Sequence, residues 1–145
     1  MATINRKDIR TALKNDIVAS VTAAKLVMRY LGDPGRKFPA ITIASRGTGG
    51  NPLTSDGDTL RHRFYVHLLV LAGSAEASWT KEQAEDLLDD TRKAFDDYLE
   101  LGTFAVSGLR FQVKRDGDSE VLRSTIGKEQ YLDEPIPVLV ETFYP

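Results

Sequence analysis

No cysteine occurs in the 145 residues. This excludes a disulfide scaffold, a thiolate zinc site, an iron–sulfur cluster and a cysteine nucleophile. It does not fix a compartment, because a cysteine-free chain folds in either redox environment. The longest apolar run, Leu68 to Ala72, falls far short of the roughly 20 residues a membrane-spanning helix needs. The opening MATINRKDIR has no apolar core, so no secretory signal is expected. A large net charge is also lacking: 19 basic against 21 acidic side chains leave −2, and no overall basic field attracts nucleic acid. What is present is ordinary globular material, 41% hydrophobic and 28% charged, long enough to bury roughly 70% of its extended surface without a metal or disulfide. The length fits one domain.

The charge is unevenly placed. Residues 1–63 carry 11 Lys and Arg against 5 Asp and Glu, whereas residues 64–145 carry 8 against 16. Two readings fit: chance plus one acidic helix face, or a bipolar subunit whose copies attract head to tail, the arrangement that builds rings or tubes.

A first helix is expected after Asn5, a good N-cap, with Ile9, Ala12, Leu13, Ile17 and Val21 forming one apolar stripe. Alternation from Ala23 to Leu31, the Asp33-Pro34-Gly35 turn and the AITIA segment at 40–44 predict a hairpin. Residues 46–58, RGTGGNPLTSDGD, have almost nothing apolar to offset the cost of ordering, and are expected to be a long mobile loop. They lack the lysine of a phosphate-binding P-loop. A long strand follows from Leu60. One of its faces (His62, Phe64, Val66, Leu68, Val70) is core, and the other changes from basic (Arg61, Arg63) to apolar (Leu69, Leu71). At about 3.3 Å per residue, twelve residues span roughly 40 Å, so the strand either crosses the whole body or projects as an arm.

Thr80 and Gln83 form a capping box for a second helix. Its inward stripe is Ala84, Leu87, Leu88, Thr91, Phe95, Tyr98 and Leu99, its outer side is acidic, and Gly102 is its expected C-cap. Phe104 to Arg115 reads as one strand with a bulge or close approach at Gly108, and Pro137 to Phe143 as a last strand. Pro135 and Pro137 share parity, which suits an edge. The expected fold is therefore α+β: a largely antiparallel sheet of four to five strands, two amphipathic helices packed on one face, in the order α-β-β-β-α-β-β.

Chemistry is sparse. The two histidines lie five residues apart on one strand and so point to opposite faces; His62 reads as a hydrogen-bonded packing residue. Ser107 lacks a nucleophile-elbow context. Asp56, Asp58 and the later Asp116 to Asp118 are turn aspartates without the remaining ligands of a calcium loop. Arg61, Arg63 and Tyr65 are a weak match to a nucleic-acid face. No catalytic residue, metal site or cofactor is expected.

The NRKDIRTALKNDI helix, the PAITIA strand, the glycine-rich loop, the RHRFYVHLLVL strand, the AEDLLDDTRKAFDDYL helix and the closing PIPVLVETFYP strand follow one another in a distinctive order. Over nearly the full chain this pattern resembles the tail-terminator (tail-completion) proteins of long-tailed bacteriophages. The resemblance implies a non-enzymatic virion component that forms a ring, typically of six subunits, on the head-proximal end of the tail tube. Such a ring stops tube growth and presents a surface to the head connector; it is made in the host cytoplasm, and DNA only passes through it. Its expected partners are copies of itself, the tube protein and neck proteins, with no membrane. The subunit or tube interface is then expected at Arg46, Gly47, Thr48, Gly49, Gly50, Asn51, Arg61 and Arg63. Glu85, Asp86, Asp89 and Asp90 are expected to face the channel. A head–tail connector of the same region, or a small nucleic-acid or ligand-binding module, is the alternative.

Overall fold

The structure, a computed structural model, describes residues 5–28, 39–49, 61–72, 81–106, 108–126 and 129–142. Two helices, α1 (Arg6–Ser20) and α2 (Lys81–Leu101), accompany seven strands: β1 (Leu26–Met28), β2 (Ala40–Gly49), β3 (Arg61–Leu71), β4 (Thr103–Val106), β5 (Leu109–Arg115), β6 (Leu122–Ile126) and β7 (Glu129–Thr142). The strands form one mixed sheet in the order β1-β2-β3-β7-β5-β4, with β6 also paired to β7.

This overturns the expected four to five strands with two helices layered on one face, and each difference has a local cause. Gly108, expected at a bulge or close approach, sits instead at the turn of the β4–β5 hairpin, which divides the expected single strand: Val106 pairs with Leu109, and Gly108 adopts φ +82. Ser107 lies outside the described residues. β6 and the first half of β7 carry charged residues where alternation would show apolar ones. Asp133 and Glu134 are buried in β7 because each has found a partner, described below. The expected hairpin between β1 and β2 is instead a parallel pair, Leu26 opposite Ala40 and Met28 opposite Thr42. A tight turn cannot join parallel strands. The Asp33-Pro34-Gly35 turn itself lies outside the described residues.

The sheet curls. α1 touches β1 and β2 at one edge and β4 at the other, so it closes the mouth of a half-barrel instead of lying in a layer; α2 packs one side against β3, β5 and β7 and leaves the other exposed. The inner face supplies Ile41, Ile43, Phe64, Val66, Val138, Val140, Phe111 and Val113, packed with Ile9, Leu13 and Ile17 of α1 and Leu88 and Phe95 of α2. The Asn5 side chain caps α1 by accepting from the Asp8 N–H at 2.9 Å, as its position predicts. The capping box at Thr80 falls outside the described residues.

Pro135 and Pro137 do not mark an edge strand. β7 lies between β3 on one side and β5 and β6 on the other. β6 pairs with β7 up to Asp133 and β5 from Val138, leaving a gap opposite residues 134–137. The Pro137 carbonyl accepts from the Asp116 N–H at 2.8 Å on this side. The missing N–H groups therefore face the gap, where no ladder bond is lost.

Gly102 directly follows α2, at the expected C-cap position. It has no positive φ. A Cβ there would sit 3.1 Å from both the Tyr98 ring and the Tyr98 carbonyl, a close approach that favours glycine.

Candidate functional site: the charged outer face of the sheet

Along β3, even-numbered residues face the core and odd-numbered ones the outer surface. The register places Arg61 opposite Glu141, Arg63 opposite Leu139, Tyr65 opposite Pro137 and His67 opposite Pro135. The outer side passes from exposed Arg61 to fully buried Leu69, as the alternation predicts. Leu69, Leu71, Ala40 and Tyr131 form a second, smaller apolar cluster on this outer face. Since β3 is paired with β7 along its whole length and with β2 from Leu69 to Arg61, it crosses the body and is not a projecting arm.

At the polar end, two carboxylates hold four cations. Glu141 receives Lys114 at 2.6 Å and Arg61 at 3.4 Å. Asp116 receives Arg46 at 3.1 Å and Arg63 at 3.6 Å. The Arg46 guanidinium lies over the Tyr65 ring, 4.6 Å from its centroid. Parity in β5 places exposed Arg110 on the same face as Lys114. Side chains of Arg61, Arg63 and Lys114 are 40–50% exposed. Exposed ion pairs contribute only about 0–1 kcal/mol each, so the network's main effect is to position cations, not to hold the fold.

Several expected interface residues thus come together. Arg46, Arg61 and Arg63 share this surface, and Gly47, Thr48 and Gly49 belong to β2, opposite Arg63, His62 and Arg61. The segment expected to be mobile from residue 46 accordingly begins as strand. Gly50 and Asn51 lie outside the described residues, with the rest of that segment to residue 58. Sequence reasoning missed Asp116, Glu141, Lys114 and Arg110. Their parity was readable, but the register that aligns β5 and β7 with β3 was not.

Glu85, Asp86, Asp89 and Asp90 are exposed on α2, on the far side of the sheet from these cations. One subunit does not bring the two groups together. Between them, on the interior side, Arg92 of α2 reaches Glu134 at 2.9 Å and Ser119 donates to the same carboxylate at 2.6 Å.

The histidines point to opposite faces, as expected. His67 Nδ1 is 2.9 Å from Asp133, a pairing the sequence did not reveal. His62 is buried against Phe111, and neither ring nitrogen has a hydrogen-bond partner among the described residues, contrary to the expected bonded packing residue. Desolvation, with a smaller contribution from the Arg6 charge, lowers its pKa from the ordinary 6.5, so the ring is held neutral.

Between the C-terminal ends of the helices is an open cleft of about 390 Å³ lined by Asp16, Ser20, Asp97, Tyr98, Leu101 and Thr103. The Tyr98 hydroxyl donates to Asp16 at 2.7 Å across it. Burial and then Asp16 push the phenol's pKa far up, so it stays protonated and cannot act as a base. Among the described residues no group of three metal-ligating side chains converges, and no helix is long and apolar enough to cross a membrane. The aromatic needed for stacking a base is also compromised, because Arg46 already covers a face of Tyr65.

No family model matches the chain, and no curated protein does. One solved structure similar to it matches over 99% of both chains at 13% identity and a TM-score of 0.49.

Proposed function

We propose that this chain is a non-enzymatic virion protein that terminates the tail tube of a long-tailed bacteriophage. It assembles as a ring, six subunits in the resembling family, at the head-proximal end of the tube, blocks further tube addition, and offers its other side to the neck of the head. DNA passes through the ring without sequence-specific contact. The order of sequence segments from the first helix to the terminal PIPVLVETFYP supplies the family reading. The structural observation that carries it is the outer sheet face: Arg46, Arg61, Arg63 and Lys114 are preorganised on two carboxylates beside exposed Tyr65. A broad, solvent-facing array of fixed charges suits contact with another protein surface, where complementarity selects the partner and speeds encounter.

The test is electron microscopy of tails assembled with and without the protein. Abnormally long tubes in its absence, restored to one length by adding it, are the expected result. Tubes of normal length joined to heads without the protein overturn the reading.

A further inference from the structure

The outer face has more positive charge than it can neutralise. At its polar end Arg46, Arg61, Arg63, Lys114 and Arg110 share the surface with Asp116 and Glu141, a surplus of three among the described residues there; Asp133 lies at the apolar end of the same face, paired with His67. Directly behind it, across β3, β5 and β7, lies α2, whose solvent side carries exposed Glu82, Glu85, Asp86, Asp89 and Asp90. None of these five carboxylates has an ionic partner among the described residues. The chain is therefore layered: acidic helix surface, interior, sheet, basic surface.

We propose that the basic outer face of one copy receives the acidic α2 surface of a second copy, giving a head-to-tail contact. This rests on the ring reading above and names the surfaces that would build it. Dimensions agree. Residues 82 to 90 of α2 span about 12 Å at 1.5 Å per residue. Across β3, β7 and β5 the cations span about 10 Å at roughly 4.8 Å per strand, and Arg61 and Arg63 are about 7 Å apart along β3.

Like charge prevents either surface from pairing with its own copy, so the contact is heterologous and closes into a ring or continues as a filament according to the rotation between copies. A nucleic-acid occupant is disfavoured by the net −2 of the chain and by the covered face of Tyr65. Glu85, Asp86, Asp89 and Asp90 then meet the neighbouring subunit and do not face the channel.

Two full-length variants test this: Arg61→Glu with Arg63→Glu, and Asp89→Lys with Asp90→Lys. Sedimentation velocity of the wild type at 0.1 M salt is expected to show concentration-dependent association. It should be lost toward 1 M salt, as the screening length falls from about 10 Å to about 3 Å. Each variant alone stays monomeric, and an equimolar mixture associates again, because each retains one complementary surface and the two reversed surfaces are complementary to each other. The exposed α2 pair lacks ionic partners among the described residues, so the second variant remains informative if the first fails to fold. A wild type that is monomeric at every concentration overturns the proposal, as does assembly of the second variant like the wild type, or dimerisation of either variant by itself. So does binding of a duplex oligonucleotide to the wild type that Arg61→Glu with Arg63→Glu abolishes, without self-association. If such a protein still sets tail length, only this contact is rejected and the terminator reading stands.

Discussion

His62 joins burial to pH. The folded state holds it neutral, with its pKa below 6.5, whereas the unfolded chain protonates near 6.5. The unfolded state thus binds more protons as pH falls through that value. The stability that neutral His62 contributes is fully present above about 6.5 and is lost progressively toward the lower folded pKa. Urea unfolding at pH 7 and pH 5 is expected to show lower stability at pH 5, and His62→Phe should shrink that difference. Equal pH dependence in the two proteins would show that other groups carry it. Gly102 is a steric counterpart. Gly102→Ala places a methyl 3.1 Å from Tyr98 and is expected to cost about 1–3 kcal/mol as an overpacked site. Thermal melts read it directly, and an unchanged Tm would mean the α2 terminus gives way freely.

At the level of elements, β7 shows how buried charge can hide a strand. Glu134 is 3% exposed and held by Arg92 and Ser119; Asp133 is held by His67. Arg92→Met leaves Glu134 with the Ser119 hydroxyl alone, and is expected to cost about 1–3 kcal/mol. Combining it with Glu134→Gln should recover part of that loss, and a denaturant double-mutant cycle measures the coupling. Strictly additive effects would mean that the pair contributes nothing to the fold. The same charges explain why alternation shows the strand only from Pro137: it finds apolar stripes and cannot distinguish a partnered carboxylate from a solvated one. By contrast, α1, α2 and the core face of β3 were legible, because their buried side chains are apolar at regular spacing and need no distant partner to be recognised.

For the whole molecule, β3 and β7 form the spine, paired with each other over eleven positions and flanked on both sides. β1 and β4 are at the ends of the strand order. Hydrogen exchange should therefore be slowest in Phe64–Val70 and Ile136–Val140 and fastest in β1 and β4. Comparable protection of β1 and β3 would contradict the half-barrel order. The apolar stripe of α2 packs on the inner face of the sheet and α1 bridges the two edges, so the sheet is expected to unfold cooperatively with both helices.

The amino-acid sequence by itself determined the two helices, their buried stripes, the change from basic to apolar along β3, and the opposite facing of the histidines. Each of these follows from local periodicity and side-chain chemistry. Only the tertiary structure decided the seven-strand order, the parallel β1–β2 pair, the gap that admits Pro135 and Pro137, and the gathering of Arg46, Arg61, Arg63 and Lys114 around Asp116 and Glu141. These depend on strand register between segments up to about eighty residues apart, and register is settled by packing across the sheet, which one-dimensional pattern does not encode.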